Sequence, residues 1–300
     1  SGVINLALEG IMIIGALAST LFLQALDAAG WGESVFTSQL GVVLAALIAG
    51  IAGMVFSLLL AFAAINLRAD QTIGGTALNI FAPAFCVVVA WAVQGQGITD
   101  IAIPTWTRWT PEQLHIMGAV NQDFLPSLFK KFFITIPIAL ILFLVAWFVL
   151  YKTRFGLRMR ACGEHPQAAD SVGINVYKMR WAGVLISGFL GGIGGIVFIT
   201  AGVSEWRFEY GVAGFGFLSL AVMIFGQWKP QRIALAALLF GFFRALGNVY
   251  TGFSFLKALN LPSSLYNMLP YIISLIVLAF TSKNSRAPKA EGIPYDKGMR

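Results

Sequence analysis

The sequence predicts an all-α fold: a polytopic helical membrane bundle of about eight to ten membrane helices, some short or broken, with a weak internal repeat. Three observations carry this. Hydrophobic residues make up 58% of the 300 positions and charged ones 11%, with a mean hydropathy of +0.81; no water-soluble domain of this size covers so much apolar surface. The apolar runs are helix-length rather than alternating ten-residue segments, which argues against an outer-membrane barrel. The cations are clustered, as in a chain anchored by its charged connections.

At about twenty apolar residues per span, helices are expected near residues 3–26, 40–66, 72–95, 128–151, 181–203, 216–227, 231–249 and 265–282. The run at 216–227 is too short to cross alone. Lys152, Arg154, Arg158, Arg160, Lys178 and Arg180 crowd one connection, and Lys283, Arg286, Lys289, Lys297 and Arg300 mark the C-terminal end. The positive-inside rule makes both cytoplasmic, along with the turns at 67–71 and 228–232 that carry Arg68, Lys229 and Arg232. The connections at 27–39, 96–127, 204–215 and 250–264 then face outward, with Asp27, Glu33, Asp100, Glu112, Asp123, Glu205 and Glu209. A membrane domain over 1–282 is thus followed by a polar tail, 283–300, expected to be extended or disordered. The net charge of +7 is accounted for by this anchoring, not by a nucleic-acid partner.

Several functions are excluded early. Cys86 and Cys162 are too few for a disulfide framework, and His115 and His165 fall in different connections and form no metal cluster. No nucleophile, base and orienter can be assembled into a catalytic set. The chain opens on Ser1 without a charged leader and cleavage site, so an upstream segment is expected. The outer segment at 96–127 carries Pro104, Pro111, Pro126, Trp106 and Trp109, the composition of a structured connection at the headgroups; its tryptophans suit an aromatic belt or an outside partner.

Small residues carry a packing signal at "AGIAG" (49–53) and "GGIGG" (191–195). "LALEGIMIIG" (6–15) and "FLSLAVMIFG" (217–226) echo each other in Met, Ile and the closing Gly, the weak symmetry of repeat-built transporters. The stretch "RACGEHPQAADSVGINVYKMRW" (160–181) interrupts the apolar pattern. Pro166 suits the first turn of a short helix, "PQAADSVG" continues it, and Gly173 is placed to end it.

"TRFGLRMRACGEHPQAADSVGINVYKMR" resembles the cytoplasmic coupling loop of ABC importer permeases. "SGVINLALEGIMIIGA", "LRADQTIGGTALN", "GFGFLSLAVMIFGQWKP" and "SRAPKAEGIPYDKG" extend the resemblance over nearly the whole chain. The chain is similar to permeases that work with BMP-type binding lipoproteins, in the superfamily of simple-sugar and branched-chain amino-acid permeases. Family members carry a further helix before the first motif, and Asp70 stands where they have asparagine.

The resemblance implies an ATP-driven nucleoside importer subunit in the plasma membrane of a bacterium, with purine nucleosides such as guanosine as expected cargo. Its partners would be a second related permease, an ATPase with two nucleotide-binding domains, and a BMP-type substrate-binding lipoprotein. No cofactor is expected in this chain: it has no G-x-x-x-x-G-K-[ST] loop, so ATP and Mg²⁺ belong to the partner ATPase. The coupling surface is expected to comprise Glu164, Pro166, Ala168, Ala169, Gly173 and Asn175.

A nucleoside is neutral, so its path should offer amides and apolar faces rather than charge rings. Asn5 and Glu9, four apart on one expected helix face, either line the path or brace a broken helix. Asn79, Phe81 and Phe85 follow, with Gln71 a weaker candidate at the helix end. Arg244 and Asn248 share a face of an apolar helix; Arg244 pairs with Glu9 or snorkels. Gly214 and Gly216 around Phe215 suit a half helix near the path or close packing. Two other readings remain: the same machine carrying a ribose-type sugar or a branched-chain amino acid, and an ion-driven secondary transporter, disfavoured because Glu9 is almost the only deep carboxylate.

Overall fold

The computed structural model describes residues 1–97, 100–107, 135–200, 205–207, 211–249 and 287–298, with isolated positions 268 and 272. Helices α1 (Leu8–Ala28), α2 (Val35–Ala61), α3 (Gln71–Gln94), α4 (Thr135–Lys152), α5 (Arg154–Glu164), α6 (Pro166–Ser171), α7 (Val176–Thr200), α8 (Phe215–Phe225) and α9 (Pro230–Val249) follow in chain order. Strands β1 (Asp100–Ala102) and β2 (Glu205–Arg207) form a short antiparallel ladder. Among the described residues, α1, α2 with its π-helical continuation Phe62–Asn66, α3 and α7 are long and apolar enough to cross a membrane. The pair α4 and α5, bent by 73°, makes a fifth crossing if it is one span. The helix expected at 265–282 lies outside the described residues, apart from positions 268 and 272.

The helix expected from residue 3 begins five residues later. Residues 1–7 bond sideways instead of along a helix: Ile4 N–H donates to the Gln71 side-chain oxygen at 2.8 Å, and the Leu6 carbonyl accepts from Asn79 Nδ2 at 2.7 Å. Asn5 and Glu9 therefore do not share a helix face. Elsewhere the caps move the ends. Ser34 and Thr37 form a reciprocal capping box that starts α2 ahead of residue 40. Asn175 Oδ1 accepts from Lys178 N–H at 3.0 Å, which starts α7 ahead of residue 181. Asp70 accepts from the Thr72 and Ile73 amides at 2.7 and 3.1 Å, and so caps α3.

Residues 1–216 with 290–300 form one compact unit and 217–289 a second. The first is built on α1, α2 and α7, whose small-residue faces meet. A Cβ on Gly15 would stand 2.6 Å from Gly192 Cα, one on Gly53 2.5 Å from the Gly188 carbonyl, and one on Gly192 against the Ala49 carbonyl. Helices in lipid gain little from hydrophobic burial against each other, so backbone approach of this kind supplies the packing energy. In the second unit Phe225 meets Phe240 edge to face at 5.6 Å.

The ladder pairs Ile101 with Trp206, both buried, and so brings Asp100–Ala102 and Glu205–Arg207 to one end of the first unit. Trp106 donates its indole N–H to Asp27 at 2.7 Å at that end, using its ring inside the fold. Trp109 lies outside the described residues. The tail was expected to be extended or disordered; its described part is folded instead. Tyr295 is buried, and Ala290 N–H donates to the Gly163 carbonyl at 2.9 Å.

Replacing Gly192 with leucine should abolish a monodisperse, thermally stable chain in detergent, because the side chain meets backbone on the α2 side. Gly194→Ala, whose new methyl would meet Met12 at ordinary contact distance, should leave both the elution profile and the melting temperature unchanged.

Candidate functional site: the Glu9 junction and helix α6

Glu9 lies in the first turn of α1 and is 8% exposed. Its carboxylate accepts the Gly214 amide at 3.0 Å on Oε1 and the Gly216 amide at 2.6 Å on Oε2. The bend that aims these donors comes from left-handed backbone at Gly211 (φ 54°), Ala213 (φ 52°) and Gly214 (φ 76°). Gly216 is required by space, since a Cβ there would strike the Glu9 backbone. The carboxylate thus sits at the N-termini of both α1 and α8, where the helix dipoles favour a negative charge. Its charge is balanced by backbone amides, and Arg244 stands half-buried on α9 in the second unit.

Asn79 braces the other side of the junction. Its Nδ2 donates to the Leu6 carbonyl and its Oδ1 accepts the Gly10 amide at 2.8 Å, an otherwise unpaired donor in the first turn of α1. Asn5 Nδ2 donates to Ser187 Oγ at 2.8 Å. Asn5 Oδ1 and Gln71 Nε2 are buried and have no hydrogen-bond partner among the described residues. The sequence reading did not single out Ser187, a hydroxyl in the small-residue stripe of α7, and gave Gln71 as a weaker candidate at the helix end; the structure places both beside the segment before α1.

The aromatic candidates separate. Phe81 and Phe85 stack at 5.7 Å on an exposed face of α3, continued by Phe56 at 6.3 Å from Phe81. Phe215 is half-buried and packs against Phe198 at 5.2 Å, at the edge of the core. Asn248 lies on α9, with its side chain outside the described residues.

The interrupting stretch folds as expected from Pro166 and Gly173: α6 carries the proline in its first turn, and Gly173 follows at φ 83°. The alanine pair divides. Ala169 is 4% exposed and packs with Cys162, Val176 and Tyr295, whereas Ala168 faces outward with Gln167, Ser171 and Val172. Val172, 74% exposed, is an apolar side chain on this surface that the sequence reading did not single out. Glu164, Gly173 and Asn175 are exposed, while Pro166 is buried. Behind α6, Arg68 and Asp296 form a two-pronged ion pair at 2.6 and 3.2 Å. Backbone amides hold the Asp70 carboxyl below the usual carboxylate range; the Gly298 amide, with Arg68 beside it, does the same for Asp296.

These features define a class: a multi-pass helical transport subunit with non-helical backbone at a buried junction and a short, partly exposed helix, α6, in a basic connection between its apolar helices. The family model described as branched-chain amino acid transport system / permease component matches residues 1–278, and the chain belongs to this family. It is a transport component of the bacterial plasma membrane. It is 43% identical over 300 residues to the nucleoside ABC transporter permease protein NupC of Lactococcus lactis, covering 99% of this chain and 89% of that one. It is 39% identical over 306 residues to the guanosine ABC transporter permease protein NupQ of Bacillus subtilis, covering 100% and 90%. A putative glucose ABC transporter permease protein, TsgC13 of Haloferax volcanii, is 30% identical over 254 residues, covering 82% and 69%. No solved structure matches the chain.

Glu9→Ala leaves two amides without their acceptor and should destabilise the chain by about 1–3 kcal/mol per unpaired group; thermal unfolding of the purified chain in detergent measures the loss. The lowered carboxyls of Asp70 and Asp296 stabilise the fold above their unfolded pKa, about 3.9, and that contribution disappears as pH falls through the lower folded values. The melting-temperature gap between wild type and Asp70→Ala should be constant from neutral pH down to that point and should close below it.

Proposed function

We propose that this chain forms part of the translocation pathway of an ATP-driven importer of nucleosides, purine nucleosides such as guanosine among them. The cargo rests on one observation: the similarity to NupC and NupQ runs through nearly all of this chain at 43% and 39% identity. The junction fits a neutral cargo. Its one carboxylate is occupied by backbone amides, while Asn5 Oδ1 and Gln71 Nε2 offer one acceptor and one donor of the kind a nucleoside's hydroxyls and base edge exchange. In this reading Glu9 and Asn79 hold the broken backbone open, and Asn5 and Gln71 meet the cargo.

Energy comes from a separate ATPase with two nucleotide-binding domains, which holds ATP and Mg²⁺ and docks on the exposed face of α6 around Ala168 and Val172. A second, related permease completes the pathway, and a BMP-type lipoprotein delivers the cargo from outside. The end of the chain that carries α6 faces the cytoplasm, as its cations require. A sugar cargo is the second reading, supported by the 30% identity to the glucose relative.

Uptake of labelled guanosine, uridine, ribose and glucose by cells with and without the chain separates these readings. Loss of nucleoside uptake alone is the expected result, and loss of sugar uptake alone would move the cargo to the second reading. Ala168→Trp should lower nucleoside uptake by roughly tenfold or more while the melting temperature stays put, because a small face seated in a groove rejects added volume. Ala169→Trp should instead unfold the local cluster and lower the melting temperature. Full uptake in the Ala168 variant would remove α6 as the docking helix.

A further inference from the structure

The C-terminal strap, Ala290 to Gly298, touches five separate parts of the first unit. Ala290 N–H donates to the Gly163 carbonyl at the end of α5, and Gly292 N–H donates to the Gly2 carbonyl at 3.1 Å in the segment before α1. The Ile293 carbonyl accepts from Arg180 Nη1 at 2.9 Å near the start of α7. Tyr295 fills the cluster behind Ala169 of α6 and meets Tyr177 edge to face at 5.3 Å. Asp296 then reaches Arg68 in the turn before α3, and Lys297 stands 3.9 Å from Asp170 of α6.

Ala290 and Tyr295 are the buried anchors of the strap; Gly292, Ile293 and Pro294 between them are exposed, and the Arg68–Asp296 pair leaves the arginine side chain 49% exposed. The turn it reaches is strained: Arg68 adopts φ 54°, in the left-handed region, directly after the π-helical turn Phe62–Asn66. Strained residues and π-turns persist where the surroundings hold them, and they concentrate at moving or functional places. Beyond that turn, Asp70 caps α3, and α3 supplies Gln71 to Ile4 and Asn79 to Leu6 and Gly10.

We propose that the strap is a strut that carries the position of α6 to α3, and through Gln71 and Asn79 to the Glu9 junction, with Tyr295 and Asp296 as its positioning residues. The strut rests on the reading of α6 as the ATPase docking helix. When the ATPase shifts α6, Tyr295 moves with the cluster it fills, and Asp296 draws the Arg68 turn with it. The link from the strap to the turn before α3 is thus the two-pronged ion pair, and its charge order is what the strut requires.

The test uses the full chain in lipid nanodiscs, spin-labelled at Gln167→Cys and Ile73→Cys, both exposed positions; the native Cys86 and Cys162 are buried. Distances between the labels are compared for wild type, Asp296→Asn, Arg68→Glu, Asp296→Arg and the double charge swap, and ATP-driven nucleoside uptake is measured for the same set in cells. Asp296→Asn keeps an acceptor for the Gly298 amide and so protects the local turn. The strut predicts a narrow distance distribution in wild type, broadening in each single variant, and narrowing again in the swap. Uptake should fall roughly three- to tenfold in the singles and recover in the swap. Singles with wild-type distances and wild-type uptake would overturn it, as would broadening that the swap does not reverse. If the distances behave as predicted but uptake is independent of the chain, the strut stands and the importer assignment fails.

Discussion

The structure depends on how the membrane forces every backbone group to find a partner. Residues 1–7 and 211–214 are not helical, yet they lie inside the first unit beside buried helices. Amides and carbonyls in these stretches and in the helix starts beside them are met by side chains reaching across: Gln71 takes Ile4, Asn79 takes Leu6 and Gly10, and Glu9 takes Gly214 and Gly216. Without these three residues the breaks would be too costly to persist. With them, two helices begin partway through the fold, and their N-termini converge on one carboxylate.

This arrangement gives the polar residues of the spans a division of labour. Glu9 and Asn79 bond to the backbone around the breaks. Asn5 and Gln71 each keep one buried polar atom without a partner among the described residues. Buried groups left in that state are costly and are retained where something else meets them. Around this junction the α1, α2 and α7 helices pack through glycine and alanine, which fixes backbones at close range and leaves little room for drift.

Much of this was legible in the sequence, and the limits have physical causes. Helix-length apolar runs, the clustered cations and the short helix between Pro166 and Gly173 follow from composition and local chemistry, and the structure has α6 where those residues place it. The start of α1 was misread because hydropathy scores residues 1–7 as a span, while the partners that unwind them are about 70 residues away. The alanine pair looked like a single docking face, because adjacent residues point apart only once the helix is packed on one side. The folded tail was hidden by its polar composition; its anchor, Tyr295, is one aromatic residue whose pocket is assembled from α5, α6 and α7. Asp70, without an evident role as a letter in the sequence, is a helix cap.

The central claim is that the broken backbone around Glu9 lines the passage. The most direct measurement is photo-crosslinking of a radiolabelled azido-nucleoside to the chain in membranes, followed by mapping of the labelled peptides. The account predicts labelling within residues 1–16, 71–79 or 211–216, competed by unlabelled nucleoside. Competed labelling confined to other parts of the chain would contradict it.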